Sequence, residues 1–146
     1  ISALKNWNTS NGKNFQAMFS SCISLKKFSA LKNWNVSNGE DFSSMFDSCI
    51  ALQNVDLSSW NCLKIQTFYN MFGFCKKLQT IFLTNNFSEV YQDLFIECLD
   101  NLQIHYQNQI FVYEEFKQKY QNQYVFCDGL DILNNKMVQT STVLFL

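Results

Sequence analysis

Phe42-Ser-Ser-Met45-Phe46-Asp-Ser-Cys49 is the stretch that decides the fold. Its four apolar residues fall at positions i, i+3, i+4 and i+7, the spacing of one face of an amphipathic helix. The same spacing occurs at three other places, each with an aromatic residue first and a cysteine last. We therefore interpret the chain as four repeats, each with a short helix. The other three stripes are Phe15, Met18, Phe19 and Cys22; Phe68, Met71, Phe72 and Cys75; and Tyr91, Leu94, Phe95 and Cys98.

A second recurring segment lies between these stripes. It is clearest at residues 52–57 and 78–83, where apolar residues alternate with period two, as in a short strand. The two earlier copies carry one extra residue, which predicts a bulge or a wider turn. A Trp-Asn turn follows, with Ser, Asn and Gly residues suited to turns and helix caps. Equivalent cysteines are 27, 26 and 23 residues apart, in the range of solenoid proteins.

The repeats are expected to stack, because a single repeat cannot bury its own apolar face. Strands in a sheet lie about 4.8 Å apart, whereas packed helices lie about 8–10 Å apart. The helix side of the stack is then longer than the strand side, and the stack curves. The predicted fold is therefore α/β: a curved solenoid with parallel strands on the concave face, short helices on the convex face, and a C-terminal α/β cap.

The pattern changes after residue 106. Val112, Phe116 and Tyr120, with Tyr113 beside them, form a new helical stripe whose Glu and Lys neighbours predict a solvated face. Residues 124–127 predict a strand that ends at an Asp-Gly turn. An open stack needs a terminal unit with a polar outer face. We therefore assign residues 1–106 to about four repeats and 107–146 to a cap and tail.

The recurring Met-Phe-x-x-Cys-x-x-Leu motif, which begins at Met18, Met45 and Met71, resembles the BspA-like leucine-rich repeats. That class is common in bacterial surface proteins and mycoplasma-type lipoproteins. The resemblance covers about residues 1–106 and implies a leucine-rich-repeat horseshoe that binds host or matrix proteins, with no catalytic residues. The chain departs from the pattern at Leu94, which replaces Met, and at residues 106–108, where the terminal unit usually has a proline.

Composition narrows the function further. The net charge is −1 and the lysines are scattered, so no basic patch for nucleic acid or an anionic membrane is predicted. There is no arginine, hence no guanidinium fork for phosphate or carboxylate. The closing run at residues 143–146 is too short to span a membrane. Because the chain begins at Ile1 without a matching cap, we interpret it as a fragment. A cell-surface or secreted location, with the signal upstream, is expected, and a cytoplasmic location stays open.

Chemical sites are weakly indicated. The four stripe cysteines occupy one repeating position, and helix spacing would separate them beyond the roughly 7 Å limit for a disulfide. We expect reduced, buried thiols, with Cys62 and Cys127 outside the pattern and able to be exposed or paired. No metal-binding Cys-x-x-Cys spacing occurs, and no cofactor is predicted. The single histidine, His105, is expected to be a surface or packed residue rather than a catalytic base. Asn8, Asn35 and Asn86 begin Asn-x-Ser triplets, and we expect the first two to support the Trp-Asn turns instead of carrying glycans.

The outward positions of the strands are the candidate binding surface. Counted from each stripe cysteine, two columns of side chains should face the concave side. An outward aromatic residue, Phe82, among polar neighbours is typical of a protein-binding patch, although a merely solvated sheet face has the same pattern. The first column is Ser29, Asp56, Phe82 and His105, and the second is Lys27, Asn54, Thr80 and Gln103.

Three functional hypotheses follow. The first is a non-catalytic binding module that presents its sheet to another protein, such as a host or matrix protein, as in adhesion. The second is a structural spacer, in which the repeats set reach and rigidity. The third is an intracellular interaction scaffold, which suits unpaired thiols because reducing compartments keep cysteines free.

Overall fold

The computed structural model describes Leu4 and residues 6–85 and 92–121. The predicted α/β class is confirmed, with a small open sheet in which three parallel strands are followed by an antiparallel one. The strands lie side by side in chain order. The elements are β1 (Asn54–Asp56), β2 (Thr80–Phe82), β3 (Gln103–Tyr106), β4 (Gln109–Val112) and the helix α1 (Tyr113–Gln121), with short 3-10 helices at Ser29–Asn33 and Gln92–Phe95.

The period-two segments form strands, as predicted. Val55, Ile81 and Ile104 are the inward residues of β1, β2 and β3, and all three are buried. They pair directly across the sheet. The extra residue in the second repeat forms neither a bulge nor a simple turn, because the chain there enters the 3-10 helix Ser29–Asn33. The strand at that level is reduced to a single bridge between Lys27 and Asn54.

The stripes that begin at Phe15, Phe42 and Phe68 are chains of turns, so the prediction of short helices there is wrong. Each stripe contains two four-residue turns in which the fourth N–H donates to the first carbonyl. In the second stripe these bonds run from Met45 to Phe42 and from Cys49 to Phe46. The third residue of each turn, Ser44 or Ser48, has a positive φ, as in a type II turn.

Two consecutive turns reproduce the apolar spacing of a helix. The first and fourth residues of each turn point inward, so residues i, i+3, i+4 and i+7 are buried in either structure. Phe42, Met45, Phe46 and Cys49 are all fully buried. The apolar pattern therefore identifies the inward residues without identifying the backbone conformation.

Left-handed φ values at non-glycine residues give a testable consequence. Ser44 has a φ of 52°, a conformation that costs an L-residue about 1–2 kcal/mol. We expect Ser44→Gly to raise the free energy of unfolding by about 0.5–1 kcal/mol, and Ser44→Val to lower it by more than about 1 kcal/mol. Urea unfolding measures both. Ser24→Gly is the matched control, because exposed Ser24 is not among the residues with positive φ, and it should gain nothing. Equal effects at Ser24 and Ser44 would contradict the turn assignment.

Adjacent repeats are joined by backbone hydrogen bonds along the turns as well as along the sheet. We number the repeats 1 (residues 1–22), 2 (23–49), 3 (50–75) and 4 (76–98). The N–H of Ser44 in repeat 2 donates to the carbonyl of Tyr69 in repeat 3, and that of Ser48 donates to Gly73, each at 2.8 Å. Such bonds hold neighbours about 4.8 Å apart, as in a sheet. Curvature was predicted because helices on one side would be spaced more widely than strands on the other, and the stripes of repeats 1–3 do not have this wider spacing. We call the outward side of the strands the sheet face.

The core consists of columns of identical residues. Phe19, Phe46, Phe72 and Phe95 stack with ring centroids 5.4, 5.5 and 5.9 Å apart and interplanar angles of at most 17°. Trp34 and Trp60 are buried. Their indole N–H groups donate to backbone carbonyls one repeat earlier. Each repeat thus covers the aromatic ring of the one before it.

The C-terminal unit is a hairpin followed by a helix. Gln107 and Asn108 both have positive φ values, 49° and 59°, as a two-residue type I′ turn requires, and they join β3 to β4. The predicted helix is confirmed as α1, and its Phe116 is 2% exposed. Val112, predicted for that helix, lies in β4 instead. The predicted strand at residues 124–127 and the tail lie outside the described residues.

Candidate functional site

The sheet brings most of the predicted surface residues into two columns. Asp56, Phe82 and His105 are paired across β1, β2 and β3, as the sequence predicts. The second column is likewise in register, with Lys27 bridged to Asn54, Asn54 paired with Thr80, and Thr80 paired with Gln103. Ser29 is exposed but does not extend the first column, because it begins the 3-10 helix.

The centre of the sheet face is an aromatic pair. The rings of Phe82 and His105 are stacked, with centroids 4.2 Å apart and an interplanar angle of 30°. Phe82 is 39% exposed even so. Its backbone is held in place, because its carbonyl accepts a hydrogen bond from the N–H of Leu57 at 2.8 Å. The sheet therefore presents a rigid apolar surface among polar neighbours.

The carboxylate of Asp56 has a structural role next to this pair. Its Oδ1 accepts hydrogen bonds from the backbone N–H of Ser58 at 3.0 Å and from the Ser58 hydroxyl at 2.6 Å. These bonds close the turn after β1. A substitution at Asp56 would therefore disturb the turn as well as the charge, so other residues are better probes of binding.

A groove of about 490 Å³ lies beside the aromatic pair. Its lining includes Phe82 and His105 together with the hairpin residues from Gln107 to Ile110. Ile110 is 64% exposed. The hydrogen bond from the N–H of Gln107 to the Asn85 side chain, at 3.2 Å, ties the hairpin to the end of β2. The predicted surface thus continues into a partly apolar groove that was not predicted from the sequence.

A signal for this groove exists in the sequence. Residues 109–112, Gln-Ile-Phe-Val, are rich in β-branched and aromatic side chains and follow a two-residue segment, which is consistent with the second strand of a hairpin. The segment Gln107-Asn108 lacks the glycine that usually marks such a turn. Residues 107–112 were therefore not recognised as part of the sheet.

Electrostatics and metal chemistry add little at this face. Among the described residues, no group of three His, Cys, Asp or Glu side chains could hold a metal ion. In the same part of the chain, no helix is long and apolar enough to cross a membrane. The groups exposed on this face are the Phe82 and His105 rings and the side chains of Asn, Gln and Thr residues, which offer apolar contact, aromatic stacking and hydrogen bonding.

The stripe cysteines form a second ordered array. The thiols of Cys49, Cys75 and Cys98 each donate to the carbonyl of a Phe in the previous repeat, at 3.0–3.3 Å. All five described cysteines are free, as expected for the four in the stripes. Cys49 and Cys75 are buried as predicted, whereas Cys22 and Cys98 are only partly buried. The argument that helix spacing keeps these cysteines too far apart for a disulfide was wrong, because the stripes are spaced like strands in a sheet and not like packed helices. Burial raises the pKa of Cys49 to about 11 and that of Cys98 to about 12, so these thiols are poor nucleophiles.

Cys62 differs from its prediction. It is buried, not exposed, and burial raises its pKa to about 12. Cys127, the partner considered for it, lies outside the described residues.

The Trp-Asn turns explain the Asn-x-Ser triplets. The Asn8 and Asn35 side chains accept hydrogen bonds from the backbone N–H groups of Ser10 and Ser37, each at 3.1 Å. Both amides therefore support their turns, as predicted. Asn86 lies outside the described residues.

Comparison with known proteins gives one family. A family model described as a Mycoplasma protein of unknown function, DUF285, matches residues 1–102. The chain belongs to the DUF285 family. No curated protein and no solved structure matches the chain. The DUF285 match includes β1 and β2 and ends just before β3, so Phe82 lies within it, whereas His105 and the hairpin residues that line the groove lie beyond it.

Proposed function

We propose that this DUF285 chain is a non-catalytic repeat module that binds another protein through its sheet face and the adjoining groove. The observation that carries this proposal is the exposed Phe82, fixed on a strand and stacked on His105 at the edge of the groove. Aromatic anchors in a partly desolvated site, inside a polar rim, contribute much of the binding energy at protein interfaces.

The partner that suits this face is an extended segment of a protein. The groove runs beside the ends of parallel strands, with apolar contact available from Phe82 and Ile110. Gln103 and Asn54 on the neighbouring column supply exposed amides for a polar rim. The low net charge favours shape and apolar contact over electrostatic attraction as the basis of recognition.

The wider assignment follows from the sequence resemblance. The side-by-side repeats support a solenoid of the leucine-rich-repeat kind, without the curved helix-backed form first expected. The BspA-like resemblance favours a cell-surface or secreted protein that contacts host or matrix proteins. Buried thiols suit an intracellular scaffold equally well, because burial protects them in an oxidising compartment too.

Binding assays on immobilised extracellular-matrix proteins test the proposal. Where the wild-type chain binds, we expect Phe82→Ala to weaken the affinity at least about tenfold, because it removes the central apolar contact. Gln103→Lys should weaken binding by a smaller factor, since it alters the rim. Surface plasmon resonance measures both, after circular dichroism has shown that the variants are folded.

Tyr69→Ala is the matched control, because Tyr69 is a 55% exposed aromatic residue on the turn side, away from the sheet. It should bind as the wild type does. If Phe82→Ala and Gln103→Lys also bind as the wild type does, the sheet-face proposal fails. If the wild type binds none of the proteins, the spacer hypothesis is favoured.

A further inference from the structure

The stripes of repeats 3 and 4 lie as close together as strands in a sheet. The N–H of Phe74 in repeat 3 donates to the carbonyl of Ile96 in repeat 4, at 2.7 Å. Such bonds hold neighbouring chains about 4.8 Å apart, and a disulfide joins Cα atoms about 4.4–6.8 Å apart. Cys75 and Cys98 follow these bonded residues at equivalent positions in the two stripes. Their backbones are therefore close enough for a disulfide.

A single carbonyl links the two cysteines. The oxygen of Phe72 accepts hydrogen bonds from the N–H of Cys75, at 3.3 Å, and from the thiol of Cys98, at 3.0 Å. The sulfur of Cys98 therefore lies beside the backbone of Cys75. The preceding junction has the same arrangement, in which the Phe46 oxygen accepts from the N–H of Cys49 and from the thiol of Cys75. Each thiol thus points toward the cysteine of the repeat before it.

The electrostatics of the thiols agree with this proximity. Burial raises the pKa of Cys98 to about 12, although contact with the Cys75 backbone and the charge of Lys76 lower it. Burial also raises the pKa of Cys75, and negative charge on Cys98 or Cys49 raises it further. Because the thiolate is the reactive form, both thiols react slowly at neutral pH and faster as pH rises.

Access from solvent distinguishes Cys98 from its neighbours in the column. Cys98 is partly buried, whereas Cys49 and Cys75 are both buried. A small oxidant therefore reaches Cys98 first. Cys75 is then the neighbouring thiol that can complete a bond, whereas a bond between Cys49 and Cys75 has no exposed thiol at which to begin.

We propose that Cys75 and Cys98 are an oxidation site, at which a low-molecular-weight disulfide converts the two thiols into a cross-link between repeats 3 and 4. Cys98 lies just before β3 along the chain, so the cross-link fastens the strand that carries His105 to the repeat before it. The inference is independent of the proposed binding function of the sheet face.

The reaction is a thiol–disulfide exchange in two steps. The Cys98 thiolate attacks one sulfur of the oxidant, and the other half of the oxidant leaves as a thiolate. The Cys75 thiolate then attacks the Cys98 sulfur and displaces the second half. Two protons and two electrons pass from the protein to the oxidant, which ends as two thiol molecules.

Peptide mapping after oxidation tests the proposal. The folded chain is incubated with glutathione disulfide at pH 8.5, remaining thiols are blocked with N-ethylmaleimide, and tryptic peptides are analysed by mass spectrometry without reduction. Trypsin cleaves after Lys76 and Lys77, so Cys75 and Cys98 stay together only if they are bonded. We expect this linked pair as the main product, and a higher urea midpoint than that of the reduced protein. A chain unfolded in urea should give a mixture of pairings.

Two variants complete the test, after circular dichroism has shown that they are folded. Cys98→Ala should leave Cys75 reduced. Cys62→Ala is the matched control, because it removes a buried cysteine outside the stripes, and it should form the Cys75–Cys98 link as the wild type does.

Four results would overturn the proposal. One is a Cys98 that carries glutathione while Cys75 stays reduced, and another is a Cys75 bonded to a different cysteine. The third is a folded chain that stays reduced while the unfolded chain is oxidised. The fourth is a linked protein with a lower urea midpoint than the reduced one, which would show that the native spacing does not fit the bond.

Discussion

Phe46→Ala should lower the free energy of unfolding by about 3–5 kcal/mol. Phe46 is fully buried, stacks between Phe19 and Phe72 at 5.4 and 5.5 Å, and contacts Phe28 edge-on at 5.7 Å. Its removal leaves a cavity that interrupts the phenylalanine column, and it removes aromatic contacts worth about 0.5–1.5 kcal/mol each. Because the total free energy of unfolding of a small domain is about 5–15 kcal/mol, this substitution removes much of the stability.

Urea unfolding followed by circular dichroism measures this loss. Phe46→Leu should lower the free energy of unfolding by less than Phe46→Ala does. It replaces Phe46→Ala in the comparison with Tyr69→Ala if Phe46→Ala does not fold. Tyr69→Ala removes an aromatic residue of similar size from an exposed position and should change the free energy by less than about 0.5 kcal/mol. Equal losses for Phe46→Ala and Tyr69→Ala would show that the column is not the core.

Stability should also fall steeply at alkaline pH. Burial raises the pKa of Cys49 to about 11 and raises that of Cys75 still further, whereas thiols of the unfolded chain have pKa values of about 8.5–9. Above about pH 9 the unfolded chain therefore binds fewer protons than the folded one. The free energy of unfolding then falls as pH rises, by at most about 1.4 kcal/mol per pH unit for each fully buried thiol. Below about pH 8 these thiols contribute no pH dependence.

Urea midpoints at pH 8, 9 and 10 under reducing conditions measure the slope. Lysine and tyrosine also titrate in this range, so the comparison is with Cys75→Ala. That variant should be less stable at pH 8 but should lose stability less steeply as pH rises. Identical slopes for the two proteins would contradict the burial of Cys75.

The inward residues and the sheet register were predictable from the sequence. Val55 and Ile81 alternate with outward residues, and equal spacing from the stripe cysteines placed Asp56, Phe82 and His105 in one column. Side-chain alternation and repeat length can be read from the sequence alone. Because the repeats stack, residues at equal positions in successive repeats lie side by side in the fold. The family match over residues 1–102 covers the same repeating part of the chain.

The backbone conformation of the stripes was not predictable from apolar spacing. A helix and a pair of four-residue turns bury the same positions, and the distinguishing signal is which residues take positive φ. Those residues are Ser44 and Ser48 in repeat 2, and Asn70 and Phe74 in repeat 3. None is a glycine, so the turns left little trace in the sequence. Bonds between repeats, which no local pattern shows, stabilise the strained conformation.

The candidate site was predictable in part. The columns on the sheet face were predicted from the strands. The groove depends on the hairpin turn at Gln107 and Asn108, whose positive φ values could not be predicted because neither residue is a glycine. Ser29 left its column because the extra residue of repeat 2 is absorbed in a 3-10 helix.

The central claim is that neighbouring repeats are hydrogen-bonded to one another along the stripes. NMR couplings transmitted through hydrogen bonds test it most directly, because they identify the donor and the acceptor of each bond. The account predicts couplings from the Ser44 amide nitrogen to the Tyr69 carbonyl carbon and from Ser48 to Gly73. Couplings from Ser44 to Glu40 and from Ser48 to Ser44 would instead show an α-helix and contradict it.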